Sequence, residues 1–153
     1  MLYPNKYLLN PNHKIVVYLI GCGGTGSRVL VELSALNQNL VELGHLGFEI
    51  HVFDDDVVEQ HNIGRQMFYQ CDLGEYKSNV LATRINRSYG DNIQSHTTVC
   101  TGKHLKENPP GIIITCVDNV VFRRILDSHF SDTNRENVSS HFVPKIGLVG
   151  GSY

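Results

Sequence analysis

The stretch Gly21-Cys22-Gly23-Gly24-Thr25-Gly26-Ser27 contains a G-x-G-x-x-G hexad between an apolar run and a helical pattern. Glycines lack the Cβ that would keep a backbone away from phosphate oxygens, and the free N–H groups of a helix N-terminus offset negative charge there. Gly21, Gly23, Gly24 and Gly26 are therefore candidates for holding a nucleotide. The same hexad also serves as a plain turn packing a strand on a helix. The tract DDDVVEQHNIGRQ follows, carrying Asp54, Asp55, Asp56, Asn62, Arg65 and Gln66. A carboxylate at the tip of a second strand accepts hydrogen bonds from both ribose hydroxyls, and Asp54 fits that role. It lies further past the glycines than the roughly 20 residues usual for such an acid. Acid clusters are also common in solvated turns. Arg65, together with Lys77 of DLGEYK, supplies the cations that clamp a triphosphate, and Asp118, directly after GIIITCV, is a carboxylate suited to Mg²⁺. Against this, a lysine opening a helix is commonly a surface residue, and an aspartate after a strand can cap the next helix.

These residues need elements to position them. KIVVYLI, from Lys14 to Ile20, is the continuous β-branched run of a strand covered on both faces. After the glycines, Val29, Leu33, Leu36, Leu40 and Leu43 recur at helical spacing until Gly44. Phe48 to Phe53 alternates with period two and runs into the acids. A helix is predicted from Lys77 to Ser88, a weak strand from Ile93 to Val99, and a buried strand from Gly111 to Val117. Asn119 to Phe130 reads as a helix, Ser131 to His141 as a polar loop, and Lys145 to Val149 as a last strand. The alternation predicts a Rossmann-like α/β fold, with a mostly parallel sheet, helices on both faces and ligands at the carboxyl ends of the strands.

A chain of 153 residues, 41% hydrophobic, fits one domain. Its formal charge of −2, without a basic stripe, argues against nucleic acid as a partner. Cys22, Cys71, Cys100 and Cys116 form no C-x-x-C and read as free thiols of a reducing compartment. Nothing in the local sequence would activate Cys22 as a nucleophile. The first 13 residues hold no apolar run for a signal or membrane segment, so a cytoplasmic protein without a membrane partner is expected.

Taken in order, GCGGTGS, DDDVVEQHNIGRQ, DLGEYK and TCVDN resemble the signature of the ThiF- and MoeB-like, ubiquitin-activating superfamily of adenylating enzymes. The resemblance spans about residues 14 to 126, and four ordered motifs are specific where any one is not. It implies that residues 1–13 are an N-terminal extension and 14–153 a ThiF-like ATP-binding adenylation domain. It further implies that the glycine loop holds the phosphates of ATP, Asp54 the ribose, Asn62, Arg65 and Lys77 the phosphate chain, and Asp118 the Mg²⁺. The reaction implied is adenylation of the C-terminal carboxylate of a ubiquitin-like or sulfur-carrier β-grasp protein, with release of pyrophosphate, in a homodimer.

Several features depart from the family pattern. Residues 1–13 contain no arginine to reach a neighbouring subunit's nucleotide, His61 replaces the usual Ser or Thr before Asn62, and the stretch from Glu32 to Phe48 is long. The chain stops at Tyr153, ahead of where the family carries its transfer cysteine and zinc pairs, so the C-terminal part of the fold is expected to be lacking. The compact length and long first helix resemble ThiF-like members of bacterial PRTRC cassettes. Two other functions share the fold. An NAD(P)-dependent oxidoreductase would use the glycine loop but gives no reason for Asn62, Arg65, Gln66 and Lys77 to follow it. A non-catalytic nucleotide-binding subunit of an activating complex would not need Arg65, Lys77 and Asp118 together.

Overall fold

In the computed structural model, the residues described are 6–117, 124 and 145–147. A short helix α1 (Lys6–Leu9) precedes β1 (Ile15–Ile20), α2 (Gly24–Glu42) and β2 (Phe48–Phe53). Two 3₁₀ turns, Gln60–Asn62 and Gln70–Asp72, lead to α3 (Lys77–Tyr89), β3 (Gln94–His96), α4 (Gly102–Glu107), β4 (Ile112–Thr115) and β5 (Lys145–Gly147). The strands form one sheet in the order β3-β2-β1-β4-β5, and every pairing is parallel. The chain runs outward from β1 in one direction and resumes at β4 on the other side. Such an order opens a crevice at the carboxyl ends of β1 and β4.

Alternation along the strands divides the core. Ile15, Val17, Leu19, Ile50 and Val52 pack with α2 and α3 on one face, whereas Tyr18, Ile20, Phe53 and Ile113 pack with Leu105 of α4 on the other. The expected Rossmann-like sheet with helices on both faces is thus observed. Helix α4 was not legible beforehand, because GKHLKE is one short segment with a single buried apolar side chain, Leu105.

The buried stripe of α2 differs from the one expected. Leu33 is in it, but Leu30 and the small polar residues Ser27, Ser34 and Asn37 complete it, while Leu36 and Leu43 are 48% and 84% exposed. The polar members are satisfied. Ser34 donates to Asp91, Asn37 Nδ2 donates to Asp91 Oδ1 at 3.0 Å, and Asn37 Oδ1 accepts the Phe48 N–H at 2.7 Å. This network fixes α2 to the start of β2 and to the turn after α3. The helix stops at Gly44, whose φ of +85° lets its N–H reach Val41 O and the His45 N–H reach Leu40 O, a Schellman ending. The helix read over Asn119 to Phe130 and the loop over Ser131 to His141 lie outside the described residues, except Arg124, which is helical and exposed.

Candidate functional site

Four strand ends are tied together around the glycine loop. The Gly21 N–H donates to Phe53 O at 2.9 Å, the Asp54 N–H to His96 O at 3.1 Å, and the Cys116 N–H to Ile20 O at 2.7 Å. The four candidate glycines divide into two pairs. A Cβ on Gly21, where φ is +94°, would lie 2.5 Å from Val117 Cγ1, and one on Gly26 would lie 1.8 Å from Gly21 O. These two are glycines because the loop, α2 and the end of β4 pack against them. Among the described residues, a Cβ on Gly23 would meet nothing within 4 Å, and one on Gly24 would meet only Arg65 O at 3.9 Å. Packing by the described residues does not account for these two, and their open side suits a ligand that approaches the backbone closely.

Asp54 holds the loop in place. Its Oδ2 accepts the Cys22 N–H at 2.5 Å and its Oδ1 accepts the Asp56 N–H at 2.9 Å, while its backbone carbonyl accepts the Ser78 hydroxyl at 3.0 Å. Burial pushes the Asp54 carboxyl above the usual carboxylate range, and the two N–H groups oppose that shift. Each carboxylate oxygen has capacity for a further hydrogen bond.

Lys77, a surface residue on the plainest reading, is buried. Its Nζ donates to Asp56 Oδ2 at 2.9 Å, and its backbone N–H donates to Asp56 O at 3.0 Å. Its side chain is 8% exposed against 68% for Asp56, so the ammonium is held in a fixed place with a wet partner. Arg65 is exposed on the turn beside Gly24, and its guanidinium forms no ion pair among the described residues. The neighbouring Gln66 Oε1 is buried without a hydrogen-bond partner there, which leaves this loop one unspent acceptor.

Asn62 has a task within the loop. It is 2% exposed, its Oδ1 accepts the Glu59 N–H at 2.9 Å, and its carbonyl accepts the N–H groups of Arg65 and Gln66. It shapes the turn that carries Arg65. The acids Asp54, Asp55 and Asp56 bring carboxylate oxygens within 4.8 Å of one another. Two of the three are already committed, Asp54 to backbone N–H groups and Asp56 to Lys77, so the triplet does not present a free ligand set for a cation. The metal candidate Asp118 lies outside the described residues.

Sequence reasoning missed the roles of Asp56, Ser78 and Arg84. Arg84 Nη2 binds Asp72 Oδ2 at 2.6 Å, its Nη1 donates to Met67 O at 2.7 Å, and its guanidinium lies 4.6 Å from the centre of the Tyr69 ring. Asp72 also accepts the Tyr69 N–H at 2.7 Å. The D-x-G motif thus pins the loop bearing Arg65 and Gln66 to α3. Burial raises the Asp72 carboxyl, but the Tyr69 N–H and Arg84 outweigh it and hold the group below its ordinary value of 3.8. A carboxylate depressed in the folded state stabilises at pH above the unfolded value, and the contribution is lost as pH falls through the folded value. Arg84→Ala should therefore cost about 1.5–3 kcal/mol at neutral pH. In thermal melts, the gap between wild type and Asp72→Asn should close toward pH 3. A gap independent of pH would remove the ion pair from the account.

The four cysteines differ in exposure, with Cys71 exposed and Cys116 half-buried. Cys22 and Cys100 are fully buried, and burial pushes Cys22 well above its ordinary value and Cys100 up to about 12. No helix among the described residues is long and apolar enough to cross a membrane.

The ThiF family model matches residues 12–143. The chain belongs to the ThiF family. It is 38% identical over 72 residues to the ATP-dependent ubiquitin transferase-like protein Cap2 of Escherichia coli (strain TW11681), covering 47% of this chain and 11% of Cap2. Among solved structures, E. coli tRNA N6-threonylcarbamoyladenosine dehydratase TcdA superposes with a TM-score of 0.60 at 21% identity, over 78% of this chain and 48% of TcdA. E. coli MccB, solved with ATP, gives 0.61 at 22% identity, over 78% of this chain and 34% of MccB. This ThiF-family chain therefore spans about a tenth of Cap2 and less than half of either structural neighbour. The likeness to TcdA and MccB carries the fold, including the parallel sheet around the glycine loop.

Proposed function

We propose that this ThiF-family chain binds ATP in the crevice between the glycine loop and the Arg65 loop and adenylates the C-terminal carboxylate of a ubiquitin-like or sulfur-carrier β-grasp protein. The observation that carries the reading is the open side of Gly23 and Gly24, with the Arg65 backbone next to Gly24, together with the buried Lys77 held on Asp56 of the acidic strand tip. TcdA and MccB have both been solved with ATP, which supports the choice of nucleotide. On this reading the loop N–H groups cradle the phosphates, and Asp54, fixed by Cys22 and Asp56, receives the ribose hydroxyls. Asn62 shapes the turn that presents Arg65.

A carboxylate approaching a polyphosphate is repelled, so cations must neutralise charge before the two can meet. A carboxylate oxygen of the substrate attacks the α-phosphorus, the bond from that phosphorus to the bridging oxygen breaks, and pyrophosphate leaves with the electron pair. Arg65 and Lys77 stabilise the charge that gathers on the departing oxygens. The step requires no enzyme nucleophile, which agrees with the inert thiols of Cys22 and Cys100. Mg²⁺, when bound, would neutralise phosphate charge, and Asp118 is the residue assigned to hold it on the family resemblance.

The test is ATP–pyrophosphate exchange with a cognate β-grasp protein. Asp118→Ala is expected to abolish Mg²⁺-dependent exchange while leaving the melting temperature nearly unchanged. Full exchange in that variant would remove the metal assignment, and no exchange in the wild type would leave a nucleotide-binding subunit without catalysis.

The same reading includes a homodimer, supported by the exposed Leu36 and Val41 on α2 and Leu43 directly after it. Light scattering should give twice the chain mass at micromolar concentration. A monomer there would remove the dimer.

A further inference from the structure

A line of side chains crosses the α4 face of the sheet, outside the glycine-loop crevice. Glu49 Oε1 lies 2.9 Å from His51 Nε2, and His51 Nδ1 lies 3.0 Å from His96 Nε2. The His96 ring stacks on Phe53 with centroids 4.2 Å apart and on His51 at 5.3 Å. Strand β3, which bears His96, is an edge strand of three residues, two of them exposed. None of its three side chains is fully buried. Yet the carbonyl of His96 receives the Asp54 N–H at 3.1 Å, so β3 braces the tip that carries the Asp54 carboxylate.

We propose that the His51–His96 pair is a pH-sensitive clasp that keeps β3 on β2 and opens when both imidazoles carry an added proton. The proton count gives the reason. A carboxylate only accepts, so His51 Nε2 carries a proton toward Glu49; Asn108 Nδ2, at 3.4 Å from the same nitrogen, is the longer contact. With both rings neutral, His96 Nε2–H donates to the bare His51 Nδ1. One added proton still leaves a single bridging hydrogen, since either ring can take it while the other faces it bare. A second added proton puts two N–H groups head to head at 3.0 Å between two cations, and the contact cannot persist.

The other groups facing the pair do not relieve that charge. From β1, the single hydroxyl hydrogen of Tyr18 is directed to Asn108 O at 2.8 Å, with His104 O further off at 3.3 Å, and the group is held protonated, pushed up to about 12 by burial and neighbouring acids. From α4, His104 approaches His96 edge-on at 6.1 Å, its Nδ1 held 2.9 Å from Thr101 Oγ1. Further along α4, Glu107 is exposed and paired with Lys103. Cys100, on the segment before α4, is a buried neutral thiol. Glu49 is the one carboxylate touching the pair among the described residues, enough for one proton and not for two. Burial, with His51 and His104 beside it, holds His96 below its ordinary value of 6.5. A histidine depressed in the folded state contributes stability above the unfolded value, lost as pH falls below it.

The consequence for ATP rests on the Asp54 tip being part of the nucleotide site, so the decisive measurement does not use ATP. Hydrogen exchange of the Asp54 amide, corrected for intrinsic exchange, is followed between about pH 8 and pH 5 in wild type and His96→Gln. Opening that takes up one proton shifts its equilibrium about tenfold per pH unit. Wild-type protection should fall with that slope on acidification, while His96→Gln, which keeps a donor but does not titrate, should stay flat. Glu49→Gln, at an exposed position, guards against a variant that fails to fold. Its pair takes the first proton less readily, so its loss should begin at higher pH and run more steeply. Flat wild-type protection, a His96→Gln profile matching wild type, or a Glu49→Gln profile unchanged from wild type would each overturn the clasp. ATP affinity measured by calorimetry should fall in parallel in wild type. Absence of ATP binding at every pH would reject the nucleotide reading, with the clasp still decided by exchange.

Discussion

Substituting Arg65 or Lys77 with alanine is expected to slow ATP–pyrophosphate exchange by about 10²–10³, or about 2.7–4 kcal/mol in the barrier, with ATP affinity nearly unchanged. The two residues reach this effect from different surroundings. Arg65 is exposed beside Gly24, so its removal should change stability by less than about 0.5 kcal/mol. Lys77 is buried and bonded to Asp56, and its loss also takes away packing along its stem. Lys77→Met keeps most of that stem and so separates the two contributions. If Lys77→Met melts near wild type yet exchanges as poorly as Lys77→Ala, the ammonium acts on the reaction. Near-wild-type exchange in both Arg65→Ala and Lys77→Met would reject the mechanism. A loss of ATP affinity equal to the loss of exchange would make these residues ground-state binders instead.

How far the site was legible beforehand depended on whether its parts were local in the chain. The glycine loop, the acidic strand tip and the four-motif order are short-range signals, and the strands carrying them are apolar runs that period and composition reveal. Phe48 to Phe53 was bounded as observed because alternation runs unbroken into Asp54. Pairings across distant loops left no trace. That Asp56 would hold Lys77, or Asp72 Arg84, depends on a 3₁₀ turn folding back on α3, and no periodicity encodes such a fold. The buried face of α2 departs from its hydrophobic pattern for a related reason. Hydrophobicity pointed to Leu36 and Leu43, whereas the buried stripe includes Ser34 and Asn37, which are inside because Asp91 and the Phe48 N–H satisfy them. The Glu49–His51–His96 line was equally hidden, since it requires the β2–β3 register that sets Phe53 beside His96.

Exchanging glycine for alanine within the loop should separate folding from binding. At Gly26 the new Cβ would stand 1.8 Å from Gly21 O and 2.8 Å from Gly21 C, both backbone atoms that cannot rotate away. Relief would require α2 to move off β1, so Gly26→Ala is expected to lose about 3 kcal/mol, roughly 10 °C in melting temperature. At Gly23 the backbone is extended, with φ of −69° and ψ of −156°, outside the left-handed region, and the new methyl meets nothing within 4 Å among the described residues. Gly23→Ala should therefore melt within about 0.5 kcal/mol of wild type. Its effect falls on the ligand: a methyl in the open space over the loop keeps phosphate oxygens from the N–H groups. Losing one such charge-assisted hydrogen bond costs about 1.5–3 kcal/mol, so the dissociation constant for ATP should rise by about tenfold to a hundredfold. Calorimetric titration with ATP, paired with thermal melts of both variants, checks the separation. Unchanged ATP affinity in Gly23→Ala would move the phosphates away from this loop and leave the glycines to packing alone. A destabilised Gly23→Ala would mean that its open side is already filled by the protein itself, and the crevice would have to be sought elsewhere along the strand ends.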